Sequence, residues 1–312
     1  MKYLILLSGE NLELAREEVL ALAGKKKCKQ HNNVIIVDSE DFDYKRLAYA
    51  HKVCQHIFTC KTIHLEHVIK RIEWQKFYKK NFAVNTYKTK LTGLEISSIM
   101  WDYLKNPKVD LLFAKTKFEF FQIENKVYCG LQLWANQEDF NSRKAHNRPG
   151  FSPVSLHPKL ARALVNISRV KTKLLDPFCG TGGILIEAGL MGIKTIGTDI
   201  DKDMLKKTEK NLKFFKLKNY QLKHVDARKV EYKVDAIVTD PPYGKSSSLK
   251  NSNQKELITD FLKQAHKILP KKSYLVMMLP NNVRLKSKFK IKNKIDFFIH
   301  KSLTRTIYVM LK

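Results

Sequence analysis

The second half of the chain alternates short runs of β-branched residues with segments whose apolar positions recur every three or four residues. This alternation is typical of an α/β fold with a doubly wound parallel sheet. Strands are predicted at residues 172–178, 194–200, 220–227, 234–240 and 273–279, and helices at 184–191, 203–215 and 255–269. The last two strands, 295–300 and 304–311, are joined so closely that they must be antiparallel. This half of the chain is therefore predicted to form a parallel sheet that ends in an antiparallel hairpin.

The first half predicts an α+β region that begins with a strand over residues 2–7, a helix over 12–22 and a strand over 33–37. Strands and helices mix from about residue 45 to 135, and residues 137–151 are polar. We therefore expect an N-terminal subdomain (1–50), a second domain (51–140), a linker (141–155) and a C-terminal domain (156–312).

Composition adds a strong charge bias to this picture. The 312 residues include 58 Lys+Arg and 30 Asp+Glu, a net charge of +28. Residues 1–150 carry +8 and residues 151–312 carry +20. Such a field favours a polyanionic partner such as nucleic acid, or an anionic membrane, although a general lysine bias would also produce it. The chain has no apolar run of membrane-spanning length and its N-terminal apolar stretch is short, so we expect a cytoplasmic protein without a membrane partner.

The five cysteines predict neither disulfides nor a zinc site, because none forms a C-x-x-C pair. Cys54, His56, Cys60, His64 and His67 are close in sequence, but their spacing fits no standard zinc signature. We expect no metal and interpret this stretch as a helix followed by a strand.

A glycine-rich turn, Asp176-Pro177-Phe178-Cys179-Gly180-Thr181-Gly182-Gly183, lies between a predicted strand and a predicted helix. Glycines let a ligand approach the backbone closely, and the helix dipole adds positive potential. A dinucleotide site is disfavoured because Leu185 stands where the G-x-G-x-x-G motif needs glycine. A P-loop is excluded because no G-K-[ST] follows. Asp176 would repel a pyrophosphate but attract an ammonium group, so the turn favours S-adenosylmethionine, with Asp176, Phe178, Gly180 and Gly182 as candidate contacts.

Two more acidic residues follow neighbouring strands. Asp199, at the end of the next strand, can accept hydrogen bonds from both ribose hydroxyls, or it can cap the helix that follows. Asp226 can reach the adenine amino group while Ala227 offers its backbone amide, or it can be a solvated loop residue.

The segment Asp240-Pro241-Pro242-Tyr243 ends the fourth predicted strand, at the sheet edge where open α/β folds bind ligands. Two prolines stiffen the backbone, so that the Asp240 carboxylate and the Pro241 carbonyl can accept hydrogen bonds from one exocyclic amine. Tyr243 offers a ring on which a base can stack. This combination predicts methylation of an amine on a base or an amide, unless the segment is only a structural turn.

With these motifs, the chain resembles the archaeal tRNA guanosine N2-methyltransferases that act on position 10 of tRNA. The predicted parallel sheet with its terminal antiparallel hairpin likewise resembles the layout of class I, Rossmann-like methyltransferases. The matching segments are Arg148-Pro149, residues 156–166, 176–191 and 240–244 with Ser246-Ser247, and Ser302-Leu303-Thr304-Arg305. The resemblance implies a ferredoxin-like subdomain at 1–50 and a THUMP domain at 51–140, because residues 105–111 resemble a THUMP stretch. Lys245 stands where that family often has Arg.

The resemblance implies that Asp240, Pro241 and Tyr243 are catalytic, that S-adenosylmethionine is the cofactor and that tRNA is the partner. No obligate protein partner is indicated. Pro242, Arg148 and Lys245, and also Arg143 and Lys144, are candidate RNA contacts. Another RNA or DNA amino-methyltransferase, acting on rRNA guanine N2 or adenine N6, is an alternative. So is a non-catalytic RNA-binding protein with a vestigial cofactor site. A nicotinamide oxidoreductase is disfavoured by Leu185 and Asp176.

Overall fold

The computed structural model describes residues 1–153, 155–242, 251–281, 283, 285–300 and 303–312. The chain divides into two compact units. Unit 1 comprises Met1–Lys45 and Tyr49–Gln137, and unit 2 comprises Arg46–Ala48 and Glu138–Lys312. No helix in the described ranges is both long enough and apolar enough to cross a bilayer.

Unit 1 is built on one mixed sheet. Its strands are β1 (Lys2–Leu7), β2 (Lys29–His31), β3 (Val34–Asp38), β4 (Ala50–Lys61), β5 (Phe82–Tyr87), β6 (Thr116–Ile123) and β7 (Lys126–Ala135). Their order is β2-β3-β1-β4-β7-β6-β5. The helices are α1 (Leu12–Leu22), α2 (Leu65–Ile69) and α3 (Gly93–Trp101). Asn11 caps α1 by accepting a hydrogen bond from the Leu14 amide, which confirms the start predicted for this helix.

Strand β4 joins the two regions that the sequence predicted as separate subdomains. Cys54 in this strand lies opposite Leu4 of β1 on one side and Gln132 of β7 on the other. A boundary at residue 50 would cut the sheet where β4 begins, so residues 1–50 and 51–140 do not form two independent bodies. The stretch from Cys54 to His67 is also a strand followed by helix α2, the reverse of the predicted order.

Unit 2 contains the predicted doubly wound sheet. Its strands are β8 (Lys173–Asp176), β9 (Lys194–Asp199), β10 (Tyr220–His224), β11 (Ala236–Thr239), β12 (Tyr274–Pro280), β13 (Lys290–His300) and β14 (Leu303–Leu311). The helices are α4 (Pro158–Ile167), α5 (Gly183–Leu190), α6 (Lys202–Phe214) and α7 (Asn251–Ile268). The order is β10-β9-β8-β11-β12-β14-β13. The first five strands in that order are parallel, whereas β14 is antiparallel to β12 and β13. The predicted layout is confirmed.

The predicted linker over 141–155 is wrong for its first half, which is packed into unit 2. Residues Asn141–Arg143 and Ala145–Asn147 form two short 3-10 turns. The Arg143 guanidinium contacts Glu187 of α5, whose side chain is fully buried, with Nε at 2.7 Å from Oε1. Arg143 and Arg148, which were predicted to lie in a linker, are therefore packed within this unit.

Candidate active site

Three carboxylates lie at the carboxyl edge of the unit 2 sheet. Asp176 ends β8, Asp199 ends β9 and Asp240 follows β11, and these three strands are adjacent. Because parallel strands end at the same edge, the side chains converge. The charges of Asp240 and Asp199 each raise the pKa of Asp176, which places the three groups within electrostatic reach of one another. The sheet therefore presents a concentrated negative edge.

Asp176 is the most buried of the three, with 1% of its surface exposed. Its Oδ1 accepts a hydrogen bond from the Thr239 hydroxyl (2.7 Å) and another from the Phe178 amide (3.2 Å). Burial raises the pKa of Asp176 to about 7, although both hydrogen bonds act in the opposite direction. A carboxylate in this state gains from a nearby cation, because the cation offsets the cost of burying the ionised form.

The glycine-rich turn has the open geometry that a ligand needs. Gly180 and Gly182 have φ values of +50° and +82°, which side-chain-bearing residues rarely adopt. A Cβ on Gly180 would meet no atom within 4 Å, whereas a Cβ on Gly182 would lie 2.8 Å from Cγ2 of Thr208. Gly180 therefore faces free space, and Gly182 lets α6 approach the turn.

Asp199 is oriented by the turn rather than by helix capping. Its Oδ2 accepts a hydrogen bond from the Gly180 amide and its Oδ1 accepts one from the Asp201 amide, both at 2.9 Å. The cap of α6 is instead Asp201, which accepts hydrogen bonds from the amides of Asp203 and Met204. The Ile200 amide also stabilises the ionised form of Asp199. A carboxylate offers about four acceptor positions, so Asp199 can still accept a hydrogen bond from a ligand hydroxyl.

Asp226 is engaged by a neighbouring arginine. Arg228 donates from Nη2 to Oδ2 (2.6 Å), from Nε to Oδ1 (3.0 Å) and from its amide to Oδ1 (2.9 Å). This pairing lowers the pKa of Asp226. Ala227 beside it is buried. The structure thus leaves Asp226 less free to accept a hydrogen bond from an amine than the sequence suggested, and its contact with adenine stays a prediction.

Asp240 forms an ion pair that the sequence analysis did not foresee. Arg305 of β14 donates from Nη1 to Oδ2 of Asp240 at 3.0 Å and from Nη2 to Oδ1. Burial raises the pKa of Asp240, and the Arg305 charge and hydrogen bonds act against that rise. In the sequence, Arg305 was noted only as part of the terminal segment that matches the archaeal methyltransferase family, and it was given no role.

The remaining residues of the predicted catalytic segment are only partly described by the structure. Pro241 is buried and Pro242 is exposed, while Tyr243 and Lys245 lie outside the described residues.

Arg148 is not placed where RNA could reach it. Only 4% of its surface is exposed, its Nε donates to the Arg143 carbonyl (2.8 Å) and its Nη1 donates to the Ser155 hydroxyl (3.3 Å). Its Nη1 lies 3.4 Å from the position that a Cβ on Gly183 would take. Arg148 thus lies against the start of α5, and its burial argues against the predicted RNA contact.

Comparison with known proteins identifies the family of this chain. The family model described as the RMKL-like methyltransferase domain (UPF0020) matches residues 145–307. A tRNA (guanine(10)-N2)-dimethyltransferase of Methanothermobacter thermautotrophicus is 34% identical, over 99% of both chains. A protein of the same name from Pyrococcus abyssi is 32% identical, over 96% of both. The crystal structure of TrmN from Thermus thermophilus superposes with a TM-score of 0.53 at 20% identity over all of both chains, which shows a shared fold.

Proposed function

Because the chain belongs to the family of the tRNA (guanine(10)-N2)-dimethyltransferases, with an RMKL-like methyltransferase domain at residues 145–307, we propose that it methylates the N2 amine of guanosine at position 10 of tRNA. The observation that carries the proposal is the convergence of Asp176, Asp199 and Asp240 at one sheet edge. At this edge Asp176 and Asp199 would contact a cationic methyl donor, and Asp240 would contact the amine that receives the methyl group. The near full-length similarity to relatives of that name supports the choice of tRNA and of position 10.

The cofactor of the reaction is S-adenosylmethionine, which supplies a methyl group on a positively charged sulfur. The acidic edge fits a donor that carries a sulfonium and an ammonium and no phosphate. Asp176 would hold the cationic portion, and Asp199 would accept hydrogen bonds from the ribose hydroxyls with the acceptor capacity that its backbone donors leave. The free space in front of Gly180 would admit the ligand. Phe178, Gly182, Asp226 and Ala227 complete the proposed cofactor contacts.

Asp240 and Pro241 would hold the target amine. The guanine N2 lone pair is delocalised into the ring, which makes the amine a weak nucleophile. Hydrogen bonds from its two N–H groups to the Asp240 carboxylate and the Pro241 carbonyl would localise that lone pair. The methylated nitrogen is cationic until it releases one proton, so positioning and electrostatics outweigh a strong general base. Tyr243 would stack on the base, which must leave its own stack to reach the site.

Unit 1 would bind tRNA, with the ferredoxin-like and THUMP-like regions at 1–50 and 51–140 sharing its continuous sheet. Residues 1–150 carry a net charge of +8. The stretch that resembles THUMP domains lies at the surface, where Lys105 and Lys108 are exposed. Exposed lysines provide the sequence-independent attraction that a phosphate backbone requires. The relatives are named dimethyltransferases, and we accordingly propose two successive methylations of the same amine.

Labelled S-adenosylmethionine and three tRNA transcripts test this proposal. The transcripts differ only at position 10, which is guanosine, adenosine or inosine. Inosine lacks the 2-amino group and is otherwise identical to guanosine in its base. We expect label only in the guanosine transcript, with N2-methyl- and N2,N2-dimethylguanosine found by nucleoside mass analysis. In D240N we expect transfer to fall by at least about 100-fold with tRNA affinity nearly unchanged.

Each alternative function gives a different result in the same assay. Equal labelling of the inosine transcript would exclude the N2 amine as the target. Label in rRNA but not in tRNA would identify a different RNA methyltransferase. Binding of S-adenosylmethionine without transfer to any RNA would indicate a vestigial site, and wild-type turnover in D240N would refute the role of Asp240.

A further inference from the structure

Arg305 and Asp240 form a two-pronged ion pair beside the proposed target amine. Nη1 and Nη2 of the guanidinium each contact one carboxylate oxygen, with Nη1 at 3.0 Å from Oδ2. Nη2 also donates to the Met278 carbonyl at 3.0 Å. The side chains of Arg305 and Asp240 are 14% and 20% exposed. A planar guanidinium held at three points fixes the plane of the carboxylate as well as its position.

The backbone on both sides of this pair is held by the sheet. Arg305 lies in β14, opposite Pro280 of β12 and Phe297 of β13. Asp240 follows β11, on the other side of β12. The Arg305 side chain therefore crosses the end of β12 and is anchored there by Met278. Strand pairing holds the backbone of Arg305, and β11 leads directly into Asp240, so the pair is a preorganised part of the edge.

We infer that Arg305 is a positioning residue for methyl transfer, holding the Asp240 carboxylate ionised and oriented to accept a hydrogen bond from the target amine. This inference rests on the proposed function. A carboxylate has about four acceptor positions, and the guanidinium fork uses two of them. The other positions are left for the amine. Arg305 thus supports Asp240 without competing for all of its acceptor capacity.

The burial of Asp240 explains why it needs a cation. Asp176, at the end of β8, interacts electrostatically with Asp240, and Asp199, at the end of β9, interacts with Asp176. Burial of Asp240 favours its protonated form, and the charge and hydrogen bonds of Arg305 from β14 oppose that effect. Protonated Asp240 would carry an O–H donor where the amine needs an acceptor. Removing Arg305 should therefore reduce the active fraction at low pH.

The test compares R305Q, which removes the charge, with R305K, which keeps the charge but lacks the planar fork. K292Q removes a charge from an exposed position of β13 and is the matched control. In both Arg305 variants we expect kcat on the position-10 guanosine transcript to fall at least about tenfold. The affinities for S-adenosylmethionine and tRNA, measured by calorimetry, should change less than about threefold. The acid limb of the kcat/KM profile should move to higher pH in R305Q and stay near its wild-type position in R305K.

The double variant D240N/R305Q separates positioning from a purely structural role. If Arg305 acts through Asp240, the double variant should be no slower than D240N alone. The double variant contains neither of the two charges, so it leaves no unpaired charge in the interior. If R305Q alone is unstable, the double variant and R305K can be measured in its place. Wild-type kcat in R305Q and R305K, an acid limb that does not move in R305Q, or additive losses in the double variant would each overturn the inference. Failure of wild-type protein to label the guanosine transcript would instead refute the proposed function.

Discussion

At the scale of single residues, the active-site edge contains a carboxylate whose ionised form is costly in the ligand-free protein. Burial raises the pKa of Asp176 from 3.8 to about 7. Because its folded-state pKa exceeds its unfolded-state value, this group lowers stability as the pH rises from about 4 to 7. The full cost, present above pH 7, is at most about 4 kcal/mol. Such a group is retained when a bound cation makes use of the charge.

D176N should therefore stabilise the free protein and weaken the binding of S-adenosylmethionine. The rise in Tm relative to wild type should be small near pH 4 and largest above pH 7, as measured by calorimetry. Wild-type affinity for S-adenosylmethionine should increase with pH up to about 7, because a cation binds the ionised carboxylate, and D176N should lose this dependence. E231Q, at an exposed position of unit 2, is the control. Unchanged affinity in D176N would show that Asp176 does not face the donor.

The convergence of the candidate residues at one sheet edge could be predicted from the sequence because strand ends are positions that a pattern can locate. Asp176, Asp199 and Asp240 lie at or near the ends of predicted strands, and adjacent parallel strands bring such positions together. Arg305 could not be found in this way. It lies 65 residues from Asp240 in the chain, within a strand whose lateral position depends on the whole sheet order. An ion pair across a sheet is a tertiary property that local periodicity does not encode.

At the scale of elements, an interior ion cluster ties the segment before α4 to helices α4 and α5. Glu187 of α5 is fully buried and accepts hydrogen bonds from Arg143 (2.7 Å) and from Arg162 of α4 (2.9 Å). Glu138 contacts both arginines as well. The polar composition of residues 137–151 suggested a linker, but these charged side chains are paired with one another within unit 2. The available signal was the isolated Glu187 in an otherwise apolar helix.

E187Q should therefore destabilise unit 2 strongly. It removes the fully buried charge and leaves the partly exposed Glu138 as the anion that still pairs with Arg143 and Arg162. Because a buried ion pair that loses one partner costs about 3–5 kcal/mol in comparable sites, we expect a loss of up to that size. Chemical denaturation followed by circular dichroism would measure the loss. The matched control is E209Q, which breaks the exposed pair of Glu209 and Lys213 on α6 and should leave stability unchanged within error. Equal stability of E187Q and wild type would mean that the arginines find other partners.

At the scale of the whole molecule, the fold of unit 2 was predictable and the organisation of unit 1 was not. In unit 2 short strands alternate with helices, and the spacing of apolar residues differs between the two kinds of element. Unit 1 depends on β4, a polar, histidine-bearing strand of 12 residues that pairs with both β1 and β7. Its pairing with β7 shifts register at two places, and its buried and exposed residues do not alternate regularly. Pairing between distant strands, rather than local pattern, makes residues 1–45 and 49–137 one unit.

The net charge of +28 leads to a prediction that separates an RNA-binding surface from a general lysine bias. If lysines contact phosphates, tRNA binding releases counterions and log K falls linearly with log salt, by about 0.7–0.9 per contact. We expect the tRNA Kd to rise at least about 100-fold between 50 and 200 mM KCl, as measured by filter binding. S-adenosylmethionine, a small ligand without a phosphate, should change affinity less than about threefold over the same range and is the internal control. A tRNA affinity that is equally insensitive to salt would show that the positive charge is spread over the surface without contacting the phosphate backbone. Recognition would then have to come from shape and base contacts.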